Sequence, residues 1–130
     1  MILRDALPPS VRYVPCDRYA WTPETVVCDL TAGVPVAAIQ DVDMTFALGV
    51  LEYLPDVQGF FRTIAPLAER FIFSYCSIDS GTERNRYWVN DLSGADVIDI
   101  LHNVGYHAVD IQTHDSAQRV YSVRREHAPP

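Results

Sequence analysis

The chain has 130 residues, of which 48% are hydrophobic and 21% charged, and its formal net charge is −7. That length suits one domain with a buried core. The acidic balance and the complete absence of lysine argue against a nucleic-acid partner, because phosphate contacts need clustered basic side chains. No apolar run approaches the roughly 20 residues that cross a bilayer, and the N-terminus shows no signal peptide, so we expect neither a membrane partner nor secretion.

The three cysteines, Cys16, Cys28 and Cys76, form no CxxC pair and no spacing with histidine that suits zinc. Each stands at the end of an apolar run, where a free cysteine behaves as a small buried hydrophobe. Cys16 and Cys28 directly precede an acid in two neighbouring predicted strands. We therefore expect these two thiols to be reduced, buried and close together on one face of the sheet, which favours a cytoplasmic location. No metal site is predicted.

The first part of the chain predicts three strands. Residues 11–16 (VRYVPC) are followed directly by Asp17, and residues 25–30 (TVVCDL) contain Asp29 near their end. Residues 42–48 (VDMTFAL) form a nearly continuous apolar run, typical of a strand buried on both faces. The segment between the first two strands, RYAWTPE, is predicted to be only a loop.

The second part alternates helices and strands. Asp56 is a candidate N-cap for a helix whose apolar stripe comprises Val57, Phe60, Phe61, Ile64 and Leu67. A strand at residues 70–76 and a polar loop at 77–90 follow. Ser93 and Asp96 predict a capping box that opens the next helix, and Gly105 closes it. Residues 106–113 and 119–125 alternate as two strands, and the tail at 126–130 is expected to fray.

This order of elements predicts an α/β fold in which a mostly parallel sheet is covered by helices and ends in an antiparallel C-terminal hairpin. We assign one domain to residues 1–125. In such a sheet, ligands bind outside the carboxyl ends of the strands. Asp17 is placed there to accept both hydroxyls of a ribose, although an acid at the start of a solvated loop is an equally good interpretation from position alone.

The segment from Asp41 to Cys76 resembles class I S-adenosylmethionine-dependent methyltransferases. Residues 50–56 (VLEYLPD) match that family's "VLEHLPD" almost residue by residue, after an apolar strand as in the family. Residues 87–93 (YWVNDLS) resemble the approach to the family's next helix, and residues 104–106 (VGY) its usual "AGF" ending. The resemblance covers about residues 11–123 and implies a Rossmann-like three-layer sandwich.

The resemblance also implies site residues. Asp17 would bind the ribose of S-adenosylmethionine, Asp29 and Leu30 would border its adenine, and Leu48 and Gly49 would pass beside its methionine part. Glu52 and Tyr53 would face the substrate as candidate catalytic residues, although Glu52 could serve only to fix the turn.

One feature of the family is absent from the sequence. The family's first strand ends in an acid and a glycine-rich turn, where no Cβ fits against the cofactor. The six glycines here all lie elsewhere, and residues 1–9 look like the helix that follows that turn, so the fold is expected to be truncated at its N-terminus. We therefore expect weak binding of S-adenosylmethionine.

Two functions remain open at this point. The first is a methyltransferase, or a truncated fragment of one, that acts on a small molecule or a similar acceptor other than nucleic acid. The second is a non-catalytic binding or interaction module that kept the scaffold. A nicotinamide-binding Rossmann domain fits less well, because it also needs the glycine fingerprint.

The family's first strand lies between the strand that ends at Asp17 and the strand that ends at Leu48. Without it, two rows of backbone groups lack partners, and each unsatisfied group costs about 1–3 kcal/mol. The gap is expected to close by direct parallel pairing of residues 11–16 with 42–48, which would narrow or remove the cofactor cleft. The alternatives are a strand supplied by another chain or a homodimer formed along the exposed edges.

Overall fold

The computed structural model describes residues 2–81, 83–114 and 117–126. Thr82 of the predicted polar loop, residues 115–116 of the last turn and residues 127–130 of the predicted frayed tail lie outside these ranges. Within them there are three α-helices and six strands. The helices are α1 (Ile2–Ala6), α2 (Val57–Ile64) and α3 (Gly94–Asn103); the strands are β1 (Cys16–Asp17), β2 (Val26–Val27), β3 (Met44–Ala47), β4 (Arg70–Tyr75), β5 (Tyr106–Thr113) and β6 (Arg119–Arg125). Short 3₁₀ helices occupy Val36–Ile39, Leu51–Tyr53 and Ile78–Ser80.

The strands form two separate sheets. β1 and β2 make a parallel pair, and the second sheet has the order β3-β4-β6-β5. β3 and β4 are parallel, whereas β6 runs antiparallel to both β4 and β5. The α/β class, the parallel N-terminal strands and the antiparallel C-terminal hairpin agree with the prediction.

The predicted direct pairing of residues 11–16 with 42–48 is wrong. Within the described ranges, β1 pairs only with β2, β3 pairs only with β4, and a cavity separates the two segments. Local chemistry explains part of this result, because Pro15 has no N–H to give to a ladder and β1 begins only at Cys16. The predicted strands at residues 25–30 and 42–48 are likewise shorter, at Val26–Val27 and Met44–Ala47.

Both longer helices begin where the sequence predicts. The Asp56 carboxylate accepts a hydrogen bond from the Gly59 N–H at 2.8 Å at the start of α2. Ser93 and Asp96 form the full capping box of α3, each side chain bonding to the other's backbone N–H. Gly105 takes a positive φ of 91° just beyond that helix, a conformation that costs glycine no steric strain.

Aromatic side chains form the centre of the core. Phe61, Phe71 and Phe73 are fully buried, and Phe73 stacks on Tyr121 with ring centroids 4.7 Å apart. α2 contributes four buried residues of its predicted stripe, Val57, Phe60, Phe61 and Ile64, whereas the fifth, Leu67, lies beyond the end of the helix and is half-buried. The core therefore lies where Phe61 of α2 packs on Phe71 and Phe73 of β4, beside α3, which contacts both α2 and β5.

Cys16, Cys28 and Cys76 are free thiols, as predicted. Cys16 and Cys28 share a hydrogen bond between their side chains, and burial raises the pKa of both thiols. This hydrogen bond confirms the prediction that the two thiols lie close together, although the ladder pairs Cys16 with Val26. The prediction that they are buried is wrong, because both are half-buried.

Candidate functional site

Two adjoining cavities lie between the sheets. The larger, about 710 Å³, separates the segment before β1 from β3, and its walls are mainly apolar, including Leu7, Val14, Ile39, Phe60 and Ile64. The smaller, about 290 Å³, is lined by Asp17, Trp21, Thr25 and Leu48 among others. Leu3, Tyr13, Pro15, Cys16, Phe46 and Val50 line both cavities. We call the larger one the slot and the smaller one the Asp17 pocket.

Asp17 ends β1 at the Asp17 pocket, and both of its carboxylate oxygens are hydrogen-bonded. Oδ1 accepts the backbone N–H of Tyr19 at 3.3 Å, and Oδ2 accepts the indole N–H of Trp21 at 3.1 Å. The side chain is exposed, so a ligand in the pocket can reach it. Leu48, 50% exposed, lines the same pocket from the end of β3. The structure thus brings together two of the five predicted cofactor-binding residues.

Asp29 and Leu30 lie further from this pocket. The Asp29 Oδ1 accepts the N–H and the hydroxyl of Thr31 at 3.0 and 2.6 Å, and these hydrogen bonds hold the pKa of its carboxyl below the usual value. Nη2 of the exposed Arg18 lies 3.6 Å from Oδ2 of Asp29. An ion pair at the surface contributes little to stability. Leu30 lines the slot instead. Asp29 lines neither cavity.

Gly49 follows β3 in a left-handed conformation, with a φ of 67°. Its N–H donates to the Ser74 hydroxyl at 2.8 Å, and the Gln118 side chain donates to the same oxygen at 3.1 Å. The Ser74 hydroxyl thus connects the turn after β3 to β4 and, through Gln118, to the start of β6. Gly49 itself lines neither cavity.

Glu52 and Tyr53, the two predicted catalytic residues, have opposite environments. Glu52 is 2% exposed, and its Oε1 accepts the Cys76 N–H at 3.0 Å, while Oε2 has no hydrogen-bond partner among the described residues. This geometry favours the role of fixing the turn, the alternative that the sequence left open for this residue. Tyr53 is 43% exposed, so its hydroxyl group belongs to the surface beside the turn.

The polar loop after β4 is fastened by Arg84 and Asn90. Asn90 donates from Nδ2 to the carbonyls of Leu51 and Leu54 at 2.7 and 2.9 Å, and its Oδ1 accepts the Tyr75 hydroxyl. Arg84 donates to the carbonyls of Cys76 and Asn90 and lies 4.6 Å over the Trp88 ring. The predicted "YWVNDLS" segment is therefore packed against the "VLEYLPD" turn.

Sequence reasoning missed Trp21 and Ser74. Trp21 lies in a segment that was predicted to be only a loop, and the available signal was an aromatic with an N–H donor four residues after an acid. Ser74 lies in the strand predicted at residues 70–76, and the available signal was a hydroxyl that interrupts the apolar run RFIFSYC. Among the described residues, no three His, Cys, Asp or Glu side chains group in a way that could hold a metal ion. None of the helices found there has the length and apolar character to cross a membrane.

The architecture can be compared with solved structures. The magnesium protoporphyrin IX methyltransferase from Synechocystis PCC 6803 with bound SAM aligns with 80% of this chain and 46% of its own length, at a TM-score of 0.55 and 19% identity. The chain has the class I S-adenosylmethionine-dependent methyltransferase fold. The N-terminal domain of EvdMO1 with SAH bound gives a TM-score of 0.56 at 14% identity, covering 79% of this chain and 54% of that one.

A third structure with this methyltransferase fold is the N,N-8-amino-8-demethyl-D-riboflavin dimethyltransferase from Streptomyces davawensis. It is 18% identical at a TM-score of 0.56, and the match covers 79% of this chain and 34% of that one. The chain thus spans between a third and somewhat over half of the length of these three structures. No protein-family model matches the sequence, and the search of curated proteins gives no match.

Proposed function

We propose that the chain is a S-adenosylmethionine-dependent methyltransferase, or a fragment of one, that acts on a small-molecule acceptor. The observation that carries this proposal is the Asp17 pocket. An exposed carboxylate at the end of one parallel strand and Leu48 at the end of another line a single cavity. Ligands of open α/β sheets bind at this edge, and solved structures with the same fold hold SAM or SAH.

The residues fit such a cofactor at the ribose end. Asp17 would accept the ribose hydroxyls, Leu48 and Gly49 would border the methionine part, and Leu30, with Asp29, would border the adenine. The sulfonium of the cofactor supplies an already activated methyl group. The protein's own task is then to align the acceptor and, for a hydroxyl acceptor, to remove a proton.

For the acceptor side we propose Tyr53 as the candidate catalytic residue, because it is exposed next to the turn that follows β3. Glu52 stabilises that turn by accepting the Cys76 N–H.

The acidic chain favours an acceptor other than nucleic acid. Similar structures include methyltransferases named for a porphyrin and a riboflavin derivative, which fits a small-molecule acceptor. The three free thiols favour a cytoplasmic location.

Binding is expected to be weak in the chain by itself, because no glycine-rich turn is present to hold the methionine carboxylate. The remaining contacts suggest a dissociation constant in the high micromolar to millimolar range, about 4 to 6 kcal/mol of binding free energy. The measurement is a titration of the chain with S-adenosylhomocysteine by NMR, which detects weak binding. Asp17→Ala should weaken binding about tenfold or more, whereas Asp99→Ala, an exposed acid on α3, should leave it unchanged.

Each outcome of that titration has a meaning. A low-micromolar constant would contradict the weak-binding prediction, and an unchanged constant for Asp17→Ala would contradict the assigned site. The absence of any binding at millimolar concentration would overturn the proposed function and support a non-catalytic module.

We also propose that a strand from a second polypeptide completes the slot, either from a different protein or from a second copy in a homodimer. In the part of the chain that the structure describes, β3 has a ladder on one side only, and β1 pairs only with β2. An extended apolar segment between them would satisfy backbone groups on both edges and bury its side chains against the apolar walls.

A further inference from the structure

The indole of Trp21 lies beside the carboxylate of Asp17 at the mouth of the Asp17 pocket. Its N–H donates to Asp17 Oδ2 at 3.1 Å, and the ring packs edge-on against Tyr19 with centroids 6.1 Å apart. Trp21 is nevertheless 69% exposed, and it lines the pocket. A large aromatic side chain is thus kept at the surface by a hydrogen bond to the acid rather than by burial.

The hydrogen bonds to Asp17 leave a specific set of acceptor sites. An ionised carboxylate offers about four lone-pair sites, two on each oxygen. The Tyr19 N–H uses one site on Oδ1, and the Trp21 N–H uses one on Oδ2. No further donor among the described residues bonds to these oxygens, so one site stays free on each, which is the arrangement that two neighbouring hydroxyls of a sugar require.

The loop donors also fix the orientation of the carboxylate. A free aspartate on the surface rotates about χ2, whose energy profile is broad. A donor on each oxygen restrains that rotation, so the free lone pairs keep a constant direction before a ligand arrives. Restraint of this kind raises affinity by lowering the entropy lost on binding.

We propose that Trp21 is a positioning residue, which orients Asp17 for a ligand that carries a vicinal diol. The ligand class is a nucleoside with both ribose hydroxyls, held with its sugar in the Asp17 pocket. The pocket volume of about 290 Å³ is at the lower end of small-molecule sites, which suits one part of a ligand rather than a whole dinucleotide. This inference rests on the proposed function, because it assigns a residue to the same cofactor site.

The first test needs no ligand. The chain has two tryptophans, so a ¹H–¹⁵N spectrum shows two indole N–H signals, which Trp21→Phe and Trp88→Phe assign. Asp17→Asn should move the Trp21 indole signal and leave that of Trp88, whose ring lies against Arg84. An unmoved Trp21 signal would overturn the contact on which the inference depends.

The second test compares adenosine with 2′-deoxyadenosine and 3′-deoxyadenosine as ligands of the wild-type chain. The backbone amide of Tyr19 reports binding in every variant, because it donates to the same carboxylate. Adenosine should bind at least about tenfold more tightly than either deoxy analogue, the effect of one hydrogen bond to a charged group. In Trp21→Phe, which keeps an aromatic ring and loses the N–H, this preference should fall below about twofold.

The ratio of the two affinities isolates the positioning role, since a general loss of structure or of ring contacts lowers both constants together. Trp88→Phe is the matched control and should retain the full preference for the diol. A full preference in Trp21→Phe would overturn the role of Trp21 and leave the proposed function standing. No response to any nucleoside in the wild-type chain would overturn the proposed function and this inference with it.

Discussion

Tyr106 shows at the scale of one residue how burial in this core changes chemistry. The side chain is fully buried, and its hydroxyl donates to the Ala68 carbonyl at 2.7 Å. Burial raises its pKa from the usual 10.0 to about 12, with a smaller opposing effect from Arg125. The neutral phenol is therefore the form that the folded chain retains.

This raised pKa predicts a loss of stability in alkali. Below pH 10 the folded and unfolded chains both keep the proton, so the group contributes its full stabilisation. Between pH 10 and about 12 the unfolded chain loses the proton first, and the free energy of unfolding should fall by about 2 to 3 kcal/mol. Urea unfolding at several pH values measures this slope.

Tyr106→Phe is the control for that slope. It should cost about 1 kcal/mol at neutral pH, through the lost hydrogen bond to Ala68, and should reduce the alkaline slope. Burial also raises the pKa of Tyr121, so part of the slope should persist in Tyr106→Phe and decrease further when Tyr121→Phe is added. If Tyr106→Phe alone leaves the alkaline slope unaltered, Tyr106 does not cause the loss of stability in alkali.

At the scale of elements, Glu52 joins the 3₁₀ turn Leu51–Tyr53 to the end of β4. Its Oε1 accepts the Cys76 N–H at 3.0 Å, and the Val89 N–H donates to its backbone carbonyl at 2.9 Å. One residue of the "VLEYLPD" segment thus holds both the strand end and the polar loop. A carboxylate that is 2% exposed with one unpaired oxygen is costly to bury.

Substitutions of Glu52 separate its structural role from a catalytic one. Glu52→Ala removes the acceptor of the Cys76 N–H and leaves a cavity, so it should lower the free energy of unfolding by about 2 to 4 kcal/mol. Glu52→Gln keeps a carbonyl acceptor and removes the buried charge, so it should stay within about 1 kcal/mol of the wild-type value. Chemical denaturation measures both. Equal losses in the two variants would mean that the charge itself is needed, contrary to a role confined to the turn.

The sequence predicted those elements whose signals are local. The capping box of Ser93 and Asp96 and the stripe of α2 depend on residues within a few positions of each other. The capping box was correct, and so was the stripe except for Leu67, which lies beyond the end of the helix. The pairing of residues 11–16 with 42–48 depends on contacts between distant parts of the chain, including Leu7 and Phe60, which both line the slot. No local pattern reveals such a separation, and this prediction failed.

The candidate site was predictable to a similar extent. Asp17 and Leu48 were predicted from their positions at strand ends, and both line one pocket. The role of Trp21 depends on the path of a seven-residue loop, residues 18–24, whose sequence has no periodicity. Loop geometry of that kind is set by individual hydrogen bonds, such as that from the indole to Asp17, which residue order does not specify.

At the scale of the whole molecule, the slot is the feature that sets this chain apart from a closed sheet. It lies where the family resemblance places the central first strand, between the segment that leads to Asp17 and β3. Its walls include Leu3 and Leu7 from the N-terminal segment and Phe60 and Ile64 from α2. The proposed strand from a second polypeptide would fill this apolar cavity of about 710 Å³ and pair with the strand edges that border it.

This architecture predicts concentration-dependent self-association and binding of an apolar dye such as ANS. Val14 is half-buried and lines the slot, so Val14→Asp would place a charge where the proposed apolar strand would lie and should weaken both effects about tenfold or more.

Val27→Asp is the matched control, because Val27 is 60% exposed on β2 and lines neither cavity. Sedimentation at several protein concentrations and dye titration measure the two effects, and near-ultraviolet circular dichroism checks that the tyrosines of the core keep their packing in Val14→Asp. Self-association that survives Val14→Asp and fails in Val27→Asp would place the interface on β2. A wild-type chain that stays monomeric and binds no dye would show that the slot closes in solution without a partner.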